Sequence, residues 1–120
     1  MAIVSGKKSI TQTAFVLSDT DVNQAAVDDI FGGAGTIRGF HFENLHGSTA
    51  AHFKAYDNPN PIVGTTAPDL IIAVPANTHT VWIVTDGITF TNFSYAGVQE
   101  DGTSGTSEPA AALKLYAEVR

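Results

Sequence analysis

AAHFKAYDNPNPIVGTTAPDLIIAVPANTHTVWIVTDGITFTNFSYAG, residues 50–97 of a 120-residue chain, holds four strand-like runs. They cover 51–57, 69–75, 78–86 and 88–96, separated by turn signals of which Asn58-Pro59-Asn60-Pro61 is the strongest. In 51–57 the period of two sets Phe53 and Ala55 towards a core and His52, Lys54 and Tyr56 away from it. Residues 58–68 carry three prolines, too many for a central strand. Leu-Ile-Ile-Ala-Val at 70–74 is a continuous apolar run, as expected of a strand covered on both faces. Residues 81–85 are β-branched around Trp82, which reads as a core residue packed between sheets. Asp86-Gly87 is a hairpin turn signal. Beyond it, Ile88, Phe90, Phe93 and Tyr95 alternate with one residue inserted, which predicts a β-bulge near Thr91-Asn92.

Outward from that stretch the pattern continues. Residues 1–8 read as a flexible N-terminal arm ahead of a single domain spanning 9–120. Residues 9–18 are rich in Thr, Val, Ile and Phe and read as a strand. Asp19-Thr20-Asp21 supplies an N-cap, and Val22, Ala26, Val27 and Ile30 recur at helical spacing, so one short helix is expected over 22–31, stopped by Gly32-Gly33. In the strand candidate at 35–46, Phe40 and Phe42 share one face and His41 and Glu43 the other. Residues 99–109, QEDGTSGTSEP, read as a solvated, mobile loop. At 111–119, Leu113, Leu115 and Ala117 alternate with Lys114, Tyr116 and Glu118, which favours a strand despite the helix-forming composition. About seven or eight strands with one short helix make an all-β, antiparallel, jelly-roll-like β-sandwich.

Composition narrows the function. Charged residues are 15% of the chain, well below the usual quarter, and small neutral residues fill the gap. Net charge is −6 and the six basic residues are scattered, with Lys7-Lys8 the nearest thing to a cluster, so neither nucleic acid nor an anionic membrane is expected as a partner. There is no cysteine for a disulfide, a thiol nucleophile or a thiolate site. The N-terminus lacks the apolar core of a signal peptide, and no apolar run approaches the roughly 18 residues of a membrane span. Synthesis in a cytoplasm follows as the expectation.

No catalytic constellation stands out. His41, His46, His52 and His79, with Glu43, are the metal suspects, but the His-x-His pair of jelly-roll metal enzymes is missing, and these read as surface or interface histidines. Asp19, Asp21, Asp28 and Asp29 lack calcium-loop spacing, and the first two serve more simply as caps. Gly6-Lys7-Lys8-Ser9 lacks the upstream half of a phosphate loop, and Gly32-Gly33-Ala34-Gly35 follows a helix instead of opening one. No Gly-x-Ser-x-Gly elbow occurs. The expectation is a non-enzyme without metal or cofactor. Tyr56 and Tyr116, opposite the core-facing residues of their strands, are the aromatic interface candidates.

The order Phe53-Lys54-Ala55-Tyr56-Asp57, a 58–66 loop with Pro61 and Gly64, Pro68, the 70–75 strand, Asp86-Gly87-Ile88-Thr89-Phe90, Phe93-Ser94-Tyr95-Ala96 and a closing Leu115-Tyr116 resembles small β-sandwich virion proteins of tailed bacteriophages. The resemblance spans roughly 37–119; Ala55 stands where a larger aliphatic is usual and Asp57 where Asn is common. It implies a capsid decoration (cement) protein, a homo-oligomer and in particular a trimer, bound to the major capsid protein on the virion exterior. The contact residues expected are Ile3, Val4, Lys7 and Lys8 in the arm, able to add a strand to a neighbouring sheet edge, with His52, Lys54, Tyr56 and Tyr116 on the polar strand faces. A tail, baseplate or fibre component is the alternative within a virion. A carbohydrate-binding module using Trp82, Tyr95 or Tyr56 is the alternative outside one.

Overall fold

A computed structural model of the chain describes residues 3–7 and 15–119. Eight strands form among them: β1 (Ile3–Lys7), β2 (Phe15–Val22), β3 (Gly35–Asn44), β4 (Ala51–Asp57), β5 (Leu70–Val74), β6 (Thr78–Phe90), β7 (Phe93–Val98) and β8 (Leu113–Val119). All pairings are antiparallel. One sheet has the order β1-β2-β8-β3-β6 and the other β5-β4-β7. The all-β sandwich expected from the alternation is the fold observed.

The short helix is not. Among the described residues there is no helix, and 22–31 is an extended, irregular crossing from the larger sheet to the smaller. Val27 forms a two-way bridge with Tyr95, at 2.9 and 3.1 Å, while Ile30 N–H donates to the Phe93 carbonyl and Gly97 N–H to that of Asn23. The segment therefore lies along the free edge of β7 as a vestigial fourth strand. Long-range hydrogen bonds to an otherwise open edge outweigh a few tenths of a kcal/mol of local helix preference. With this strand counted, β2-β8-β3-β6 faces the Val27 segment-β7-β4-β5, and the chain order through the two layers is that of a jelly roll.

The core is the alternation made solid. Leu17, Ile37, Phe40, Phe42, Leu113, Leu115, Ala117 and Val119 face inward from the larger sheet, and Phe53, Ala55, Ile72, Val74, Phe93 and Tyr95 from the smaller. Phe42 and Phe53 meet across the layers at 4.8 Å between ring centroids, and Phe53 continues to Tyr95 at 5.6 Å. Two polar devices are built into this apolar filling. Asp19, fully buried on β2, accepts the Tyr95 hydroxyl at 2.8 Å and the Asp21 N–H at 3.0 Å. Asn44 donates to the carbonyls of Thr49 and Val74 and accepts the His46 N–H, closing one end of the sandwich.

Two turn readings also change. Asp86-Gly87 does not end a strand: β6 runs through it, and residues 84–87 bulge out opposite Arg38, between the pairs Gly39–Ile83 and Ile37–Ile88. Gly87, at φ +76, makes this possible; a Cβ there would lie 2.5 Å from the Thr36 methyl. The expected bulge at Thr91-Asn92 is instead the tight connection between sheets. Asp57 Oδ1 holds it by accepting the N–H groups of both residues, at 2.9 and 2.8 Å.

Candidate docking surface

The two outer faces of the sandwich differ. On the smaller sheet, His52, Lys54 and Tyr56 point away from the core as expected, but they do not reach solvent freely. Two loops lie across them. From the 99–109 loop, the Gln99 carbonyl meets His52 Nδ1 at 2.7 Å and the Gly102 carbonyl accepts a hydrogen bond from Lys54 Nζ. From the 58–69 loop, Gly64, at φ +91, sits against Thr106, so the two loops lock together. Lys54 and Tyr56 are fully buried and His52 is half-buried. Burial pushes the Lys54 ammonium below its usual pKa, an effect opposed by the nearby carboxylates of Glu100 and Asp101. Burial likewise pushes the Tyr56 phenol up.

The 99–109 loop is thus organised, not free. Gly105 and Pro109 are buried, Gln99 N–H donates to the Ser107 carbonyl, and Glu100 accepts both the Ser107 hydroxyl and its N–H. These bonds from Ser107 hold the Glu100 carboxyl below its ordinary pKa. Lys54 and Tyr56 are consequently corrected from contact residues to internal ones. The period of two told which way they point; the carbonyls that meet His52 and Lys54 come from residues more than forty positions away.

On the larger sheet the register sets three rows across the outer face. Val16, Glu118, Gly39 and Ile83 form one; Ser18, Tyr116, His41 and Val81 the next; Lys114, Glu43 and His79 the third. Gly39, lacking a side chain, is the floor of a shallow open depression of about 300 Å³ walled mainly by Val81, Ile83, Tyr116 and His41. Val81, Ile83 and Tyr116 are exposed, at 60, 78 and 36%. The His41 ring lies 5.8 Å from Tyr116 and 5.7 Å from His79, centroid to centroid. The polar row closes the patch with Glu43 between His79 Nδ1, at 3.4 Å, and Lys114 Nζ, at 3.9 Å. With Glu118 in the first row and Glu43 and Lys114 in the third, charged groups flank the apolar patch on both sides along the strands, as in docking surfaces with an apolar centre and a polar rim.

Trp82 is the other departure. It faces inward, opposite Phe40, yet β6 ends the sheet and the indole remains 40% exposed instead of packing between layers. Of the aromatics considered for stacking on sugars, Tyr56 and Tyr95 are buried and Trp82 alone is accessible. Among the described residues no three His, Asp or Glu side chains converge as a metal site, and no helix is long and apolar enough to cross a membrane.

Of the remaining expected contact residues, Ile3, Val4 and Lys7 belong to β1, which pairs along its length with β2 and forms one edge of the larger sheet. Lys8 lies outside the described residues, as do 9–14 of the strand expected at 9–18. Of the four expected contact residues with described side chains, His52, Lys54, Tyr56 and Tyr116, only Tyr116 sits on the apolar patch. Val81 and Ile83 were missed. The available signal was a run of β-branched residues followed by a turn, in which alternate residues could not all be internal. The chain matches no family model, no curated protein and no solved structure.

Proposed function

We propose that the protein is a non-enzymatic structural component that docks through the outer face of its larger sheet. The setting proposed is a tailed-phage virion, where it acts as a decoration protein on the outside of the major capsid shell. The carrying observation is the exposed Val81, Ile83 and Tyr116 around the Gly39 depression. Contiguous exposed apolar surface with a polar margin is what a binding partner covers. The virion setting rests on the sequence resemblance alone, and most residues that carry it serve the scaffold. Asp57 holds the 91–92 turn; Ser94 donates to the Asn58 carbonyl at 2.5 Å and accepts the Asp29 N–H at 2.8 Å; Gly64 locks the loops and Tyr95 anchors Asp19.

On this reading the protein adds buried area across seams between capsid subunits and so opposes outward pressure on the shell. The test is to mix purified protein with capsids of the parent phage that lack it and to measure co-sedimentation. Wild type binds in hundreds of copies per particle and Ile83→Asp with Tyr116→Asp does not. Binding of only a few copies, at the tail, favours the tail-component alternative. Equal binding by the double variant overturns the assigned face.

A further inference from the structure

We infer that β6 is a homotypic edge: two copies of the chain pair antiparallel through residues 79–83 about a two-fold axis at Val81. The two five-stranded sheets then join into one of ten strands. This goes beyond docking to a partner, because it concerns the backbone edge and needs no other molecule.

An edge strand offers a row of unpaired N–H and C=O groups, and soluble proteins blunt such edges with charge, proline, bulges or a covering segment. The fold uses those devices elsewhere. The β7 edge is covered by the Val27 segment, and β5 has only five residues, between Pro68 and Pro75. β6 has thirteen residues and, among the described residues, a single strand neighbour, β3. From 78 to 85 it reads Thr-His-Thr-Val-Trp-Ile-Val-Thr, with no Lys, Arg, Asp, Glu, Gly or Pro. Three successive residues, Val81, Trp82 and Ile83, are 60, 40 and 78% exposed. Because successive side chains point to opposite faces, the edge is apolar on both sides. Such a strand is guarded only by being paired.

The sequence of the strand suits a copy of itself. Regular pairing with β3 runs from Thr78 to Ile83 and stops at the 84–87 bulge, which bounds the usable edge. Antiparallel partners share a face, so the axis must pass through a residue, and Val81 centres the 79–83 segment. Val81 then meets Val81 of the second copy, Thr80 meets its Trp82 and His79 its Ile83. No like charges stand opposite one another, although each chain carries −6 overall. The outer row Tyr116, His41, Val81 continues across the axis into its own repeat, so the apolar strip doubles in length. The apolar side chains alone expose a few hundred Å² per copy, below the roughly 800 Å² per partner of a standard interface, so a weak, concentration-dependent association is expected. It tightens with added salt, since the long-range term is repulsion between two acidic copies.

The chain has no cysteine, which makes the test direct. In a two-fold antiparallel pair the Cα atoms of residue 81 approach to about 4.5–5.5 Å, within disulfide range. Under oxidised glutathione, Val81→Cys is expected to form a disulfide dimer at least about tenfold faster than Thr103→Cys on the exposed 99–109 loop. An equimolar mixture of His79→Cys and Ile83→Cys is expected to cross-link faster than either alone, which reports the register. By sedimentation, wild type approaches twice the mass of one chain as concentration rises. Val81→Lys with Ile83→Lys stays monomeric while keeping the wild-type thermal transition. A wild type that stays monomeric at every concentration up to ~200 µM overturns the inference. So does equal cross-linking at 81 and 103, or a dimer that survives the double lysine substitution. None of these outcomes depends on capsid binding.

Discussion

The covered face of the smaller sheet and the bare face of the larger one invert each other's chemistry. Over the smaller sheet, a lysine and a tyrosine lie beneath two loops, the lysine bonded to the Gly102 carbonyl. Over the larger sheet, Val81 and Ile83 stand in solvent around a glycine-floored depression. A polar residue under cover and an apolar residue in the open are the informative departures from the usual sorting. The first describes a face that has finished its assembly within the chain. The second describes a face completed by something outside it.

Stability measurements can break this contrast most sharply at matched aromatic and aliphatic truncations. Tyr56→Ala on the covered face is expected to cost about 3–5 kcal/mol, because a buried ring leaves a cavity. Ile83→Ala on the bare face is expected to change stability by less than about 0.5 kcal/mol. Urea unfolding of both variants checks the pair; equal losses would mean the two faces are equally buried in solution.

A smaller effect is expected where the loops interlock. Gly64→Ala places a side chain at φ +91 and 2.5 Å from the Thr106 methyl, for a loss of about 2 kcal/mol. Hydrogen exchange should rise at the Gly105 amide, which the Gly102 carbonyl holds at 3.1 Å, and stay unchanged along β3. Exchange rising equally on β3 would show that the loops are not a separable cover.

Smaller again is Lys54→Met, which keeps volume and removes a buried cation. The Gly102 carbonyl keeps the Gly105 N–H that it accepts at 3.1 Å, so no acceptor is orphaned, and a gain of about 1 kcal/mol is expected at pH 7. The folded pKa of Lys54 lies below the usual 10.5, so between the two values the unfolded chain holds more protons and wild-type stability rises with pH. The advantage of Lys54→Met therefore shrinks across that window. The tyrosines act in the opposite sense. Burial raises the Tyr56 phenol; burial, then the Asp19 carboxylate and its hydrogen bond, raise that of Tyr95. Their contribution is complete below pH 10.0 and is lost as pH climbs through the folded values, so Tyr56→Phe should flatten the alkaline fall. Unfolding curves at pH 7, 9 and 11 test both signs.

The smallest effect costs no stability. Trp82, the sole tryptophan, is 40% exposed, so its emission should be red-shifted and open to acrylamide quenching. It should move to the blue as the protein self-associates, since β6 pairing covers the indole. Blue-shifted emission in the dilute monomer would place Trp82 in the core and remove the contrast at its edge.

Local sequence carried a good deal of this. Alternation in 51–57 and 113–119 located β4 and β8 and chose their inner residues, because a strand's period of two is a property of the strand itself. It failed at 22–31, where helical spacing was real but the open edge of β7 offered backbone bonds that no local window contains. It failed again at β6, where a β-branched run around Trp82 looked like an interior strand; only the strand order puts that run at the edge of its sheet.

What the sequence determined by itself is which side of each well-patterned strand meets the core, since that follows from neighbours two residues apart. What only the tertiary structure decided is the fate of the opposite sides. Whether Lys54 and Tyr56 lie under loops, or Val81 and Ile83 lie in solvent, depends on where segments tens of residues away come to rest. That placement is set by sheet order and loop closure, to which a periodicity in the strand is blind.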